Sequence, residues 1–198
     1  MSLSTVQQIL LLNFGVLLVH EFEEYEWPGG LPTFMNEVVR KSDRPDRYPL
    51  NQLNSLVINV PAAYAFYLIP LFFPHLIWLE LRTILFNFLE LLLHCGGGFG
   101  LARSPYNPGL LTVIPWLALA IWYLVEADIT ASDWCIAIAY MLGFVIIFLG
   151  LVTYVLLASR ESPYPFAPEE LSRFERDRRF VHAAVHPHAE LANPAQTA

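Results

Sequence analysis

His20, Glu21, Glu23 and Glu24 crowd into five positions at the end of an apolar run, ILLLNFGVLLV, that is broken only by Asn13. On a helix His20, Glu23 and Glu24 fall at i, i+3 and i+4 and share one face. An acidic residue at the centre of a membrane helix costs ~2.5–3.5 kcal/mol on insertion scales. Side chains of this kind persist in a span when they pair, bind a metal or line a polar pathway. One imidazole beside two carboxylates is a ligand set suited to Zn²⁺, Fe²⁺ or Mn²⁺.

A second polar series points the same way. Glu80, Thr83, Asn87, Glu90 and His94 recur at spacings of three and four in an otherwise apolar segment. They form one stripe that must face the interior of a bundle rather than lipid. Glu90 and His94 are themselves i, i+4. If the segments carrying His20–Glu24 and Glu90–His94 cross the membrane in the same direction, both acid/imidazole pairs lie at one depth. The expected metal ligands are therefore His20, Glu24, Glu90 and His94, with Glu23 as general base; helical geometry alone permits Glu23 and Glu24 to exchange these roles. Asn13, Asn59 and Asn87 are expected around them, as substrate contacts or outer partners. The tract Gly96-Gly97-Gly98-Phe99-Gly100 after His94 reads as a helix C-cap and flexible connection, with Arg103 near enough to meet an anion.

The chain here resembles the HXXEE-motif proteins, through His20-x-x-Glu23-Glu24, a later helix ending in His94, and Tyr106-Asn107-Pro108-Gly109. The resemblance covers about residues 10–125. It implies a small integral membrane protein whose polar motif is an active or metal site, and it adds Tyr106 and Asn107 to the site's surroundings. It supplies no reaction.

The elements that must position these groups are membrane helices. Hydrophobic residues make up 56% of the 198-residue chain and charged residues 15%, with a mean hydropathy of +0.46, a polytopic membrane composition. The fold class expected is an all-α polytopic helix bundle of about five spans, near 4–25, 53–73, 75–94, 110–126 and 133–158. Every Lys and Arg except Arg82 lies in the 26–52 loop, the 95–109 loop or the C-terminal tail. The positive-inside rule then puts the N-terminus outside and the C-terminus in the cytoplasm. Arg82 is expected to pair with Glu80 or to snorkel. No basic leader and no small-x-small cleavage site flank the first apolar run, so it reads as a retained span. Cys95 and Cys135 fall at opposite ends of their spans, too far apart for a disulfide.

Residues 1–160 are thus expected to form the bundle. Residues 161–198 form a cytoplasmic tail with an interfacial helix near 168–180 and then a disordered end holding His182, His186 and His188, which read as solvated. The segment after Trp27-Pro28-Gly29-Gly30 is expected to lie on the inner membrane surface through Leu31, Phe34, Met35, Val38 and Val39.

The function this implies is a metal-dependent membrane enzyme, most simply a hydrolase acting on a lipid, prenyl or other membrane-embedded substrate. Zinc is the expected metal, with iron or manganese as alternatives; zinc lowers the pKa of a bound water to ~7. Two alternatives stay open: a proton- or divalent-cation-coupled transporter, and a di-iron oxidase or desaturase. Membrane lipids are the expected partners, in the inner membrane of a bacterium. The basic residues form a juxtamembrane belt suited to anionic lipid, not a nucleic-acid surface.

Overall fold

Residues 3–102 and 107–185 are described by the computed structural model of the chain, and among them every regular element is helical. The first helix, α1 (Thr5–Tyr25), starts at a reciprocal cap: Ser4 Oγ accepts from the Gln7 amide and Gln7 Oε1 accepts from the Ser4 amide, both at 3.1 Å. Two of the N–H groups orphaned at a helix start are thereby satisfied. It stops at Trp27-Pro28-Gly29-Gly30, and a short helix α2 (residues 31–39) follows.

The next helix, α3 (Gln52–Phe72), opens on Asn51, whose side chain accepts from the amides of Leu53 and Asn54. Pro61 lies inside it, and the backbone there shifts to wider π-helical turns over Ile58–Ala62. That local unwinding accommodates the missing proline N–H. Two further long helices are α4 (Ile77–Leu101) and α6 (Ala131–Leu156), with α6 capped by Thr130 and Asp133. Between them, α5 (Val113–Glu126) has only 14 residues. At 1.5 Å per residue it extends about 21 Å, short of a ~30 Å hydrocarbon core. Four helices are therefore long and apolar enough to cross a membrane, and the fourth of the five expected spans, 110–126, is a shorter helix preceded by a turn.

The core is layered along the bundle. Away from the site, Ile9, Leu81, Ile84, Ala120, Tyr123 and Ala137 pack together. Toward it, Leu17, Phe66, Tyr67, Phe86, Val113 and Trp116 form a second cluster. The outward faces stay apolar: Leu12, Val19 and Phe22 on α1 and Ile146 and Val155 on α6 are all exposed, as lipid contact requires.

Beneath the bundle the last helix, α7 (Pro168–Val185), lies across α2, and the fully buried Phe174 meets Phe34 with ring centroids 5.8 Å apart. The tail helix is thus longer than the 168–180 expected, and α2 is covered by it. His186 and His188 lie outside the described residues, and of His182 only the backbone is described.

Two further expectations are revised. The glycine tract does not end α4; the helix continues through it as π-helical turns over Gly96–Ala102. The glycines serve close packing: a Cβ on Gly97 would come within 2.7 Å of the Phe34 ring, and one on Gly98 within 2.9 Å of Asn107. Arg82 does not reach Glu80. Its guanidinium donates to the carbonyls of Leu79 (3.2 Å) and Phe66 (3.3 Å) and stacks over the Phe66 ring, while Glu80 accepts from the Tyr123 hydroxyl at 3.0 Å.

Candidate metal centre

The i, i+4 pairs on α1 and α4 converge. Glu24 Oε1 lies 3.3 Å from His20 Nε2 and 3.5 Å from His94 Nε2, and Glu90 Oε2 lies 3.4 Å from His94 Nε2. Ligand atoms of His20, Glu90 and His94 all fall within 4.8 Å of one another. The two imidazoles meet edge to face with centroids 5.0 Å apart, and Trp116 covers His20 at 4.4 Å. His20, Glu24 and His94 are buried.

On its other side each ring meets an acceptor at Nδ1. Asn107 Nδ2 donates to the His94 carbonyl at 2.7 Å, which orients the amide and leaves Oδ1 toward His94 Nδ1 at 2.9 Å. An amide oxygen only accepts, so Nδ1 of His94 carries the proton. The second ring follows the same logic. Thr112 Oγ1 has Glu23 Oε2 (2.6 Å) and the Gly109 carbonyl (3.1 Å) as acceptors for its single proton, and so is placed to accept from His20 Nδ1 at 2.7 Å. A ring protonated at Nδ1 alone turns its Nε2 lone pair toward carboxylate oxygen. Lone pair against anion at 3.3–3.5 Å is unfavourable unless a cation lies between them or the rings take a second proton. A metal-bound histidine has this construction: one nitrogen toward the ion, the other donating to a fixed outer acceptor.

Both outer acceptors belong to the turn that leads into α5. Gly109 adopts φ +90°, and a Cβ there would stand 2.5 Å from His94 Cε1 and 2.7 Å from His20 Cε1. Only glycine lets this backbone close over both rings. Glu23 ties the same turn to α1: its two oxygens accept from the Leu111 amide (2.9 Å), the Thr112 amide (2.9 Å) and the Thr112 hydroxyl.

A family model described as "protein of unknown function with HXXEE motif" matches residues 11–123, more than half of the chain. The chain belongs to the HXXEE family. No curated protein and no solved structure matches it. In this HXXEE protein the three motif residues divide their work: His20 and the second glutamate, Glu24, face the cluster, while the first, Glu23, holds the turn that orients His20.

The remaining candidates spread over two shells. Asn107 supports His94 directly. Asn13 and Asn87 lie farther along the bundle, where Asn87 Nδ2 donates to Asn13 Oδ1 at 2.7 Å and Asn87 Oδ1 accepts from the Tyr67 hydroxyl at 2.8 Å. Asn59 reaches the site only through a cavity of about 860 Å³, which it lines together with His20, Glu24, Glu90 and His94. Arg103 and Tyr106 lie outside the described residues. Two side chains at the site received no role from sequence reasoning. Thr112 is an ordinary threonine 89 residues from its partner Glu23. Glu21 lines the cavity, accepts from the Tyr64 hydroxyl at 3.2 Å, and keeps Oε1 without a partner. An N-P-G turn running into a helix was the available signal for the first; for the second it was a carboxylate one residue from a ligand.

Proposed function

We propose that this HXXEE protein is a divalent-metal-dependent membrane enzyme, most simply a hydrolase, acting on a substrate that reaches the site from the bilayer. The observation that carries the reading is the convergence of the His20 and His94 Nε2 atoms with the Glu24 and Glu90 carboxylates, 3.3–3.5 Å apart, on the wall of a large apolar cavity. His20, His94, Glu90 and Glu24 would hold the ion; two imidazoles with carboxylates suit zinc, and also iron or manganese. A bound ion of this kind supplies Lewis acidity to a water or a carbonyl. Among the described residues only one such ligand group occurs, which favours one ion over a di-iron pair.

The protein's own groups divide the remaining work. Thr112 and Asn107 keep Nδ1 of each ring protonated and so keep Nε2 free. Glu23, saturated by three donors, is a positioning residue and not the general base. Glu21 is the candidate for that role, because it lines the cavity and its buried Oε1 is an acceptor without a hydrogen-bond partner. The apolar walls exclude bulk water, and Trp116 shields His20.

The test is turnover. Metal-replete protein in vesicles of bacterial inner-membrane lipid should release hydrolysis products detectable by mass spectrometry, and His94→Ala should release none. Identical product profiles for the two proteins would sink the enzymatic reading. A second reading, a proton- or divalent-cation-coupled transporter, draws on the polar side chains that continue past the site: Asn13, Asn87 and Tyr67, then the buried Glu80. Metal or proton flux in the same vesicles separates the two.

A further inference from the structure

The cavity has a side opening. The first half of α6 (Ala131–Phe144) packs along α4, whereas its second half (Val145–Leu156) lies against the start of α3. The site-end stretches of α4 and α6 therefore stand as two walls of one space. Leu92, Leu93 and Leu101 line it from α4 and Ile146, Leu149 and Gly150 from α6. Leu92, Leu93, Leu101 and Ile146 are 69%, 51%, 60% and 67% exposed, so this gap faces the region where lipid tails lie. The floor is closed by Phe34, itself backed by Phe174 of α7.

One cation stands at the rim. Arg40 is the only Lys or Arg among the described lining residues; its guanidinium sits 4.3 Å above the ring of Tyr154, near the end of α6. Among the described residues no carboxylate pairs with it. An exposed guanidinium held on an aromatic ring at the end of a membrane helix lies at headgroup level, where phosphate is the abundant anion and bidentate pairing is available.

We propose that the gap between α4 and α6 is a lateral portal for a phosphate-headed membrane lipid. Its phosphate rests on Arg40, its chains extend between α4 and α6, and its first bonds beyond the phosphate lie in the cavity that holds the His/Glu cluster. This deepens the reading of a bilayer-fed enzyme and rests on it for the role of the cluster. A cavity volume of about 860 Å³ lies within the roughly 300–1,000 Å³ of small-molecule sites. It takes a headgroup and part of a chain, not a whole lipid, so the remaining chain must stay in the bilayer through the opening.

The test is native mass spectrometry of the full chain in detergent, with dioleoyl phosphatidic acid or dioleoylglycerol added, beside metal analysis of each sample. Gly150 has open space where a Cβ would stand, with only the Val145 carbonyl near, at 3.7 Å, so Gly150→Phe blocks the portal without a backbone clash. The expected result is one phosphatidic acid per chain, held more tightly than dioleoylglycerol. Arg40→Gln should weaken the phosphatidic acid alone by ~10-fold or more, the loss of one charge-assisted pair. Gly150→Phe should weaken both lipids, and neither variant should lose metal. Equal binding of the two lipids, indifference to Arg40→Gln, or displacement by millimolar inorganic phosphate with no chain dependence would overturn the portal. Lipid bound as expected to a protein that takes up no metal would instead overturn the enzymatic reading and leave the portal standing.

Discussion

Replacing Thr112 with valine removes one hydroxyl and almost no volume, and the structure specifies the consequence. The hydroxyl accepts from His20 Nδ1 at 2.7 Å and donates to Glu23 at 2.6 Å. Glu23 keeps the amides of Leu111 and Thr112, so the turn stays tied to α1. His20 keeps nothing on that side. A buried donor without an acceptor costs about 1–3 kcal/mol. The ring escapes the cost by moving its proton to Nε2, where Glu24 Oε1 at 3.3 Å accepts it. That tautomer has no lone pair at Nε2, the atom that faces the cluster. Loss of such an outer partner lowers metal affinity by ~10–100-fold, or about 1.4–2.8 kcal/mol. Thr112→Ser restores the hydroxyl and should restore most of the affinity. Competition between stripped protein and a chromogenic chelator measures all three proteins. Thr112→Val binding zinc within twofold of the native chain would refute the tautomer argument, and with it the assignment of Thr112 as a positioning residue.

Three further perturbations have defined outcomes. Glu23→Gln places an amide NH₂ where both oxygens now accept, against the Leu111 or Thr112 donors; it should cost about 1.5–3 kcal/mol of stability and weaken metal binding, whereas a Glu23 acting as base would keep full metal and lose only turnover. Gly109→Ala forces a Cβ to within 2.5 Å of His94 at φ +90°, so metal uptake by elemental analysis should collapse even where the bundle folds. Phe174→Ala empties a fully buried ring site between α7 and Phe34, a change of about 3–5 kcal/mol in a packed core; limited proteolysis should then cut α7 free while α1 to α6 stay protected.

The His/Glu cluster was legible in the sequence because its information is local. His20 and Glu24, and Glu90 and His94, are each i, i+4, and an acid/imidazole pair in an apolar helix has few reasons to exist. Membrane character was legible for the same reason. The partition between Glu23 and Glu24 was not, because both share one face of α1 and only the turn before α5 distinguishes them. That turn is tied to α1 by contacts across nearly ninety residues, which no periodicity reveals. The glycine tract misled in an instructive way: glycine there suggests a helix stop, yet Gly97 and Gly98 are small so that Phe34 and Asn107 can approach a continuing helix. Arg82 was expected to pair with Glu80 or to snorkel; backbone carbonyls and an aromatic face take up its guanidinium instead of Glu80. The 110–126 span was read from an apolar stretch whose first residues, Leu110 to Thr112, belong to the turn that closes over the site.

The central claim is that His20 and His94 present unprotonated Nε2 atoms to one ion. Elemental analysis of the detergent-purified protein, beside a His20→Ala, His94→Ala double variant, tests it most directly. The account predicts one zinc, iron or manganese per native chain and none in the variant. A native chain that holds no metal after reconstitution with each ion, or a variant that keeps a full equivalent, would contradict it.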